Sequence, residues 1–229
     1  ENNTGWVYTQ FMDYRRWNPA IEGYACNFYV GVPAGYDPAG APLPLLMQLH
    51  AYTGRYRLPA SPGSGGSDYG WPTIQVFPDD RTNTWWFGFG QNAGHLDRRL
   101  ADAPIVNYTH QRLDAIFDFV LREFNVDPDR VYLWGGSMGG SGAVNYGLRR
   151  GERFAAVYAE SAMTDFATAG AAGGAAWETG AITRLWGRVA QNLPTSLLKA
   201  NGEPYSIWEW YNWTFAKLWP GLGFTIKRA

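Results

Sequence analysis

The chain alternates between short apolar runs and longer segments in which apolar and polar positions recur with helical spacing. Five short runs have the length and the β-branched or aromatic content of strands, and they lie at residues 5–11, 24–32, 44–50, 73–77 and 154–159. The run at 44–50 is apolar at nearly every position, which is typical of a strand that is covered on both faces. The pattern therefore predicts a sheet with at least one fully buried strand.

The segment 108–124 has the clearest helical periodicity. Its apolar side chains recur every three or four residues along one stripe, and its charged side chains lie mostly on the other side. Weaker helical patterns lie at 141–149, 182–190 and 207–219. Strands that alternate with helices predict right-handed crossovers and a mainly parallel sheet with helices on both faces. We therefore expect an α/β fold in a single domain over residues 1–229.

The last quarter of the chain leaves two interpretations open. Small residues at 170–174 form a linker, and the helical pattern at 207–219 places its apolar residues on one face. These residues are Ile207, Trp208, Tyr211, Phe215, Leu218 and Trp219. The simpler interpretation is that this face packs on the core. The alternative is a helical cap over 175–220 that covers the functional site, with Trp210 or Trp213 facing a substrate.

Charge and composition argue against several kinds of partner. The formal net charge is −1 and the pI is about 6.4, so nothing indicates binding to nucleic acid or to an anionic membrane. No apolar run reaches the length of a membrane span. The three histidines lack metal-ligand spacing, and the lone Cys26 is predicted to be a small buried strand residue. We therefore expect no metal, no cofactor, and no nucleic-acid or membrane partner.

Two further features concern where the protein acts. Aromatic residues make up 17% of the chain and include 12 tryptophans, a number that favours some rings on the surface, where they can contact a flat substrate. No signal peptide is visible, and residues 1–4 are interpreted as a mature terminus left after processing. On this basis we expect a secreted protein.

The chemically most informative stretch is 131–140, where four apolar residues run into a serine bracketed by glycines. Residues 135–139 fit the G-x-S-x-G pattern of a strand, a sharp turn and a helix, with Ser137 at the apex. Side chains at the flanking positions would collide with the neighbouring strand and helix, and glycine removes that collision. Such a turn exposes the hydroxyl and directs the next backbone N–H, that of Met138, towards an incoming carbonyl oxygen. Ser137 is therefore predicted to be a nucleophile.

Two other kinds of turn also use glycine between a strand and a helix. One merely allows close packing, and the other cradles a phosphate. This stretch lacks the Lys-Ser or Lys-Thr that ends a P-loop, and its glycines lack the spacing of a dinucleotide site. The context of an apolar strand before the serine and a helical pattern after it favours the nucleophile.

Several motifs between residues 24 and 162 resemble the α/β-hydrolase fold, and more narrowly the bacterial esterases related to polyhydroxybutyrate depolymerases and feruloyl esterases. The matching segments are Tyr36-Asp37-Pro38, 46–54, Phe77-Pro78-Asp79, Asn83-Thr84-Trp85-Trp86, 126–132 and 135–140. Ser-Met-Gly-Gly at 137–140 and Tyr52-Thr53 are also similar to polyester-degrading relatives of cutinase. The chain departs from these families at Ala51, where related esterases usually have glycine, and at Gly136, where the polyester enzymes usually have a bulkier residue.

The resemblance implies an oxyanion hole and a substrate surface. The N–H groups of Met138 and Tyr52 would receive the oxyanion. The Tyr52 ring, with Trp85 or Trp86, would flank the acyl or aromatic part of a substrate. The simpler interpretation of the two tryptophans is burial as anchors of their loop, and we expect one of them in each role. The resemblance also offers Asp165 as the acid, although a helix N-cap or a turn is its simpler role.

The catalytic base is the part of this machinery that the sequence does not supply. A serine nucleophile needs a base within hydrogen-bond reach and a carboxylate that orients the base. In this fold the chain order is serine, acid, histidine, but His50, His95 and His110 all precede Ser137. The fold also normally adds two further strands, and only residues 223–227 could begin one. We therefore expect an α/β-hydrolase fold that lacks its last strands, with no histidine base after Ser137.

Three explanations remain open. The one we favour is that this chain is a fragment, or one product of a nicked or split protein, and that the base lies on the other piece, a separate C-terminal segment that completes the fold. The second is that an upstream histidine substitutes. His95, in a long loop, is then the better candidate, because His110 is more simply a first-turn helix residue and His50 ends a buried strand. The third is that the site is degenerate, so that the protein binds without turnover.

These observations predict a serine carboxylesterase that acts through an acyl-enzyme. Its substrate would be a small-molecule or polymeric ester of the polyester, feruloyl or acetyl type. A catalytically degenerate module that binds polymer or carbohydrate is the alternative from another class, because the expected histidine is missing. Serine peptidase or acyltransferase chemistry would use the same turn and is a third hypothesis.

Overall fold

The computed structural model describes residues 4–56, 72–163 and 180–211. Its strands and helices are, in chain order, β1 (Thr4–Phe11), α1 (Pro19–Glu22), β2 (Ala25–Val32), β3 (Leu43–Leu49), β4 (Ile74–Pro78), β5 (Phe89–Gly90), β6 (Ile105–Val106), α2 (Tyr108–Glu123), β7 (Val126–Gly136), α3 (Met138–Gly142), β8 (Ala156–Glu160), α4 (Ala181–Trp186), β9 (Pro194–Leu198), β10 (Pro204–Ser206) and α5 (Ile207–Tyr211). A π-helical turn, Ala143–Gly147, continues α3, and short 3₁₀ turns lie at Leu100–Asp102, Gly151–Arg153 and Val189–Gln191.

Six strands form the main sheet, in the spatial order β1-β2-β4-β3-β7-β8. β1 and β2 pair antiparallel, as do β2 and β4, whereas β4, β3, β7 and β8 run parallel to one another. The mainly parallel sheet that the alternation of strands and helices predicts is therefore confirmed. After a register shift between Leu43 and Leu45, β3 and β7 stay in register up to the pair Leu49–Gly135, so that the end of the buried strand lies beside the serine turn.

The inner strands and α2 share one hydrophobic core. The strands contribute side chains that are fully or almost fully buried, namely Val30, Leu45, Met47, Leu49, Ile74, Val76 and Leu133. The stripe of α2 contributes Leu113, Ile116, Phe117 and Val120. α2 agrees with the predicted helix at 108–124 to within one residue, because one amphipathic face determined both.

A second, smaller sheet of four strands was not predicted. Its order is β10-β9-β6-β5, and two of its strands have only two residues each. Strands this short cannot show the alternation from which a strand is predicted. Gly88, at φ 147°, precedes β5, and a Cβ there would overlap the Val106 carbonyl oxygen, so this sheet depends on a glycine at a close backbone approach.

The first of the two predicted C-terminal helices is shorter than the sequence predicts. α4 ends at Trp186 because Gly187, at φ 79°, caps it, and the predicted helix at 182–190 is therefore divided from the 3₁₀ turn that follows. α5 buries Ile207, Trp208, Trp210 and Tyr211 in the core, as in the simpler interpretation of that face. Residues 212–219, with Trp213, lie outside the described residues, and the cap over 175–220 stays a prediction.

The carboxyl ends of the parallel strands meet at one edge of the main sheet. The segments that follow β3, β4, β7 and β8 begin at His50, Asp79, Ser137 and Ser161, and these residues therefore collect along that edge. In α/β sheets ligands bind outside the carboxyl ends of the strands. Among the helices of the described ranges, none combines the length and the apolar character that a membrane span needs.

Candidate active site

Ser137 lies at the apex of the turn between β7 and α3, in a backbone conformation that side chains rarely adopt. Its φ is 55° and its ψ is −116°, and the residue is exposed. The Ser137 N–H donates to the Glu160 carbonyl oxygen at 2.8 Å, and the Ser137 carbonyl oxygen accepts from the Ser141 N–H at 3.0 Å. The end of β8 and the first turn of α3 thus hold the strained residue from both sides.

The glycines around Ser137 differ in how much room they leave for a side chain. A Cβ at Gly135 would overlap the Gly139 carbonyl oxygen, and one at Gly139 would overlap that of Leu49. A Cβ at Gly136 would meet only the Trp134 ring, at 3.8 Å, which is an ordinary contact. The two glycines of the G-x-S-x-G pattern therefore allow the turn to close, whereas the glycine between them is not sterically required.

Met138 is the first residue of α3, so its backbone N–H has no acceptor within the helix. The sequence predicts a helix at 141–149, but the observed helix begins three residues earlier and widens into the π-helical turn Ala143–Gly147. The earlier start matters for chemistry, because it places the unpaired end of a helix directly behind the Ser137 hydroxyl. That end carries a partial positive charge.

The loop after β3 runs beside the serine turn. A Cβ on Gly139 would come within 2.9 Å of the His50 carbonyl oxygen, which shows how closely the loop and α3 approach. Residues 51–54 form a turn in which the Gly54 N–H donates to the Ala51 carbonyl oxygen at 2.9 Å. Tyr52 lies in this turn with 49% of its surface exposed. The two predicted oxyanion donors, on Tyr52 and Met138, therefore come from adjacent segments.

Trp85 and Trp86, the predicted substrate contacts, are both buried. Trp86 is fully buried, and its indole N–H donates to the His50 carbonyl oxygen at 3.1 Å. Trp85 is 6% exposed, and its carbonyl oxygen accepts from the Tyr211 hydroxyl of α5. The structure thus places both tryptophans as anchors of the loop, as in their simpler interpretation, and Tyr52 is the predicted substrate contact with an exposed ring.

The three histidines have different surroundings. The His50 ring accepts a hydrogen bond at Nε2 from the Asp80 N–H at 2.9 Å, so that Nδ1 carries the proton and donates to the Ala51 carbonyl oxygen at 2.8 Å. His110 is buried at the start of α2. Its burial, and next the charge of Arg150, lower its pKa to about 3. Neither imidazole is therefore available as a base at the sheet edge.

His95 is half-buried in the segment between β5 and the 3₁₀ turn Leu100–Asp102, and its N–H donates to the Asn92 carbonyl oxygen. Within the described ranges no hydrogen bond connects the Ser137 hydroxyl to an imidazole. Asp165, the predicted acid, lies outside the described residues. Across the same ranges, no group of three or more His, Cys, Asp and Glu side chains could hold a metal ion.

One buried carboxylate that the sequence analysis missed organises the loop after β4. Asp80 is fully buried and accepts three hydrogen bonds, from the Thr84 N–H at 3.0 Å, the Thr84 hydroxyl at 2.9 Å and the Trp86 N–H at 2.9 Å. These bonds support positive φ values at Asn83, Trp85 and Trp86. An aspartate just after a strand, with threonine four residues later, is the local signal that could have identified this turn.

Solved structures with a similar fold include S-formylglutathione hydrolase from Agrobacterium tumefaciens, at 16% identity, a TM-score of 0.50, and coverage of 81% of this chain and 65% of that one. The apoenzyme of S-formylglutathione hydrolase FrmB from Staphylococcus aureus matches at 18% identity and a TM-score of 0.47, over 73% of this chain and 60% of that one. A ferulic acid esterase from Anaeromyces mucronatus matches at 16% identity and a TM-score of 0.46, over 69% and 59%.

The chain spans less than two thirds of the length of these solved structures. At such identities the likeness concerns the fold alone, and with the main sheet it confirms the predicted α/β-hydrolase fold. No curated protein matches the chain. The sequence model of the Esterase family matches residues 23–212, which include β2 to α5 and the whole serine turn. Since that match takes in most of the chain, this protein belongs to the Esterase family.

Proposed function

We propose that the protein is a serine carboxylesterase that hydrolyses esters through an acyl-enzyme formed on Ser137. The observation that carries this proposal is the exposed Ser137 hydroxyl on a left-handed backbone, directly in front of the N-terminus of α3. Membership of the Esterase family supports an ester as the substrate. A turn that only packed a strand against a helix would not need a strained, exposed serine at its apex.

The reaction follows from the groups at the turn. The Ser137 oxygen attacks the acyl carbon as its proton passes to a base, and the carbonyl electrons move onto the carbonyl oxygen. The N–H groups of Met138 and Tyr52 stabilise this oxyanion, each by about 3 kcal/mol. Collapse of the intermediate expels the alcohol, which takes the proton from the base. Water then attacks the acyl-enzyme by the same steps, and the carboxylic acid leaves.

The base is proposed to lie on a separate polypeptide segment that adds to the outer edge of β8. β8 is the last strand of the main sheet, no strand of the described ranges pairs with its outer edge, and Ala156, Tyr158 and Glu160 are exposed. Beside it an apolar hollow of about 300 Å³ lies on the sheet, lined by Leu46, Thr73, Tyr132, Leu133, Trp134, Ala156 and Tyr158. Within the described ranges, an edge without a partner strand and an exposed apolar hollow both favour an added strand and helix.

The experiment that tests the nucleophile is labelling of the complete protein, with the base-bearing segment present, by a fluorophosphonate, followed by peptide mass mapping. We expect the wild type to be labelled at Ser137, and Ser137→Ala to lose both labelling and p-nitrophenyl ester hydrolysis. Ser161→Ala is the matched control, because Ser161 is also exposed and also has a positive φ, of 51°. Labelling that persists in Ser137→Ala would refute the assignment.

The origin of the base is tested with His95→Gln. The assay uses the complete protein, with the base-bearing segment present. If the base is on that segment, this variant keeps the ester hydrolysis of the wild type, whereas a base at His95 predicts a loss of at least a hundredfold. A degenerate site predicts a third result, in which the wild type binds an insoluble polyester or polysaccharide but hydrolyses no ester. The missing contact between Ser137 and an imidazole is the observation that keeps this binding function as a second candidate.

We propose polymer-linked or aromatic esters as the substrate class, and action outside the cell. The exposed Tyr52 ring beside the serine turn supports an aromatic or flat acyl group. Methyl ferulate, an aliphatic p-nitrophenyl ester and polyester particles, compared on the same preparation, would distinguish the members of the class. Amide hydrolysis, or transfer to an added alcohol in preference to water, would instead indicate peptidase or acyltransferase chemistry.

A further inference from the structure

We propose that the loop at residues 79–86, here called the bracing loop, sets the geometry of the oxyanion hole, and that Asn83 is its positioning residue. This inference rests on the proposed function, because it concerns the same donors on Tyr52 and Met138. Asn83 does not touch the substrate. It acts through the backbone of the turn at 51–54.

The first contact is between Asn83 and Thr53. The Thr53 N–H donates to the Asn83 side-chain oxygen, Oδ1, at 2.8 Å, across thirty residues of sequence. Within the same turn the Gly54 N–H is bonded to the Ala51 carbonyl oxygen. With both later N–H groups engaged, the N–H groups of Ala51 and Tyr52 are left in this turn, and that of Tyr52 is the one assigned here to the oxyanion. Asn83 therefore helps to determine which N–H of the turn faces the serine.

The contact is needed because the turn is strained. Thr53 has a φ of 62°, a region that β-branched residues rarely adopt, so local preference alone would not hold it there. Asn83 has a φ of 57°, which asparagine tolerates well. Its own N–H donates to the Asp80 carbonyl oxygen at 3.0 Å, which fixes the direction of the Asn83 side chain.

The bracing loop also forms hydrogen bonds at the other end of the turn, to His50. The Asp80 N–H donates to His50 Nε2 at 2.9 Å, and the Trp86 indole N–H donates to the His50 carbonyl oxygen at 3.1 Å. The rings of His50 and Trp86 pack edge to face with centroids 4.8 Å apart. Hydrogen bonds at His50 and at Thr53 therefore hold the two residues that flank Ala51 and Tyr52.

Trp86 connects this assembly to the serine turn. A Cβ placed on Gly142 of α3 would come within 2.5 Å of the Trp86 side chain, so the indole packs directly on α3. The same indole thus contacts α3, which begins with the Met138 donor, and the loop that carries the Tyr52 donor. It sets the spacing between the two donors. Oxyanion stabilisation depends on that spacing, because the donors must be in place before the charge develops.

Two substitutions separate the hydrogen bond from the backbone conformation. Asn83→Gly keeps the positive φ but removes the acceptor for the Thr53 N–H, and Asn83→Asp keeps both. Asn192→Gly is the matched control, because Asn192 is also left-handed, at φ 41°, is exposed, and accepts from a backbone N–H, that of Trp208, at 3.3 Å.

We expect Asn83→Gly to lower kcat for an activated ester about tenfold per active site, with KM within twofold of the wild type. Active sites are counted by the end point of fluorophosphonate labelling, so that a loss of folded protein is not scored as a loss of rate. Asn83→Asp should recover most of the loss, and Asn192→Gly should have the rate of the wild type. Equal losses in Asn83→Gly and Asn83→Asp, or an unchanged kcat in both, would overturn the proposal.

Amide hydrogen exchange at Thr53 provides a readout that needs no catalysis. Thr53 is exposed, so its protection depends on the bond to Asn83. Exchange should be at least tenfold faster in Asn83→Gly and close to the wild type in Asn83→Asp and Asn192→Gly. Unchanged exchange in Asn83→Gly would refute the brace itself. If the complete protein, with the base-bearing segment present, hydrolyses no ester, the proposed function is refuted instead, and Thr53 exchange distinguishes the two failures.

Discussion

At the scale of single residues, Ser137 is exposed and has a strained backbone. The turn that holds it in this conformation needs glycine at two neighbouring positions. Gly135 and Gly139 leave no room for a Cβ, because each faces a carbonyl oxygen of an adjoining segment. Gly136 faces open space and the Trp134 ring. Gly135 and Gly139 are therefore needed because the backbones of β7, α3 and the end of β3 lie very close together, and not because the turn must be flexible.

We predict that Gly135→Ala destabilises the protein by about 2–3 kcal/mol, because the new methyl group would push α3 away from β7. Fluorophosphonate labelling of Ser137 should be lost with it. Gly136→Ala is the control one residue away, and it should change the free energy of unfolding by less than about 0.5 kcal/mol. The measurement is urea unfolding followed by far-UV circular dichroism. A stable, fully labelled Gly135→Ala would contradict the steric account.

His110 is predicted to make the protein less stable as the pH falls. Burial, and next the charge of Arg150, lower its pKa to about 3 in the folded protein, whereas an unfolded histidine titrates near its ordinary value. The unfolded chain therefore gains a proton below about pH 6.5 that the folded chain does not, and each pH unit costs up to about 1.4 kcal/mol. This contribution is fully present above pH 6.5.

The measurement is the free energy of unfolding from urea titrations at pH 7 and pH 5. Between them His110 should remove about 2 kcal/mol, and His110→Phe should lose that part of the pH dependence. The charged groups near His110 are Asp114, Arg149 and Arg150, and all remain in the variant. An identical pH dependence in wild type and variant would show that the folded protein protonates His110 as readily as the unfolded chain does.

At the scale of elements, a buried ion pair connects α1 to α2. Arg112 of α2 and Glu22 of α1 lie 3.3 Å apart, with side chains 2% and 0% exposed. Arg112 also donates to the Asp79 carbonyl oxygen, and Glu22 accepts from the Thr82 hydroxyl. The pair thus ties both helices to the loop that begins at Asp79. Neither position could be recognised from the sequence, because 90 residues separate the two charges.

Arg112→Met is predicted to destabilise the protein by about 3–5 kcal/mol, since it leaves Glu22 buried without its partner. Arg122→Met is the control on the same helix. Its partner Glu123 is exposed, and the change should be within about 1 kcal/mol. Urea unfolding at pH 7 measures both. Replacing Glu22 by leucine together with Arg112→Met should recover most of the loss, and a failure to recover would show that packing rather than charge dominates.

At the scale of the whole molecule, the described part of the main sheet ends at β1 on one side and at β8 on the other, and an apolar hollow lies beside β8. Tyr158 is 60% exposed and lines the hollow. Exposed apolar surface of this kind usually marks an interaction site. The proposed base-bearing segment would add to this surface. The proposal therefore requires the hollow to be accessible when that segment is absent.

We predict that the folded chain binds an apolar dye such as ANS in this hollow. Tyr158→Lys should lower the dye fluorescence by at least half, because it places a charge in the hollow. Leu198→Lys, at an exposed residue of β9 that is 64% accessible, should leave the fluorescence unchanged. Equal effects of the two substitutions would contradict a specific hollow. Unchanged near-UV circular dichroism in each variant would show that the protein is still folded.

Elements were predictable from the sequence when a pattern of neighbouring residues was long enough to show their period. The strands at 24–32 and 44–50, the helix at 108–124 and the serine turn each depend on residues close together in the chain, and the structure confirms these elements. The predicted strand at 131–134 begins earlier, at Val126, because the preceding residues extend its pairing with β3. In the second sheet, β5 and β6 were missed because strands of two residues are too short to show a period.

For the candidate site, the serine and its glycines were recognised from the local motif, and their catalytic roles stay predictions. The bracing loop was not recognised, because its bonds join residues far apart, as Thr53 and Asn83 or His50 and Trp86 do. Burial of Trp85 and Trp86, and the separate surroundings of the three histidines, are also properties of packing. No local pattern distinguishes a buried indole from one that faces a substrate.

The sequence by itself determined the mainly parallel α/β sheet and the turn that presents Ser137, because periodicity and glycine requirements act over a few residues. Only the tertiary structure decided which backbone N–H groups stay available beside the serine and which segments hold them. It also decided that β8 ends the described sheet with an open edge. Those outcomes depend on contacts between residues that the chain separates by thirty positions or more, and such contacts exist only once the core has formed.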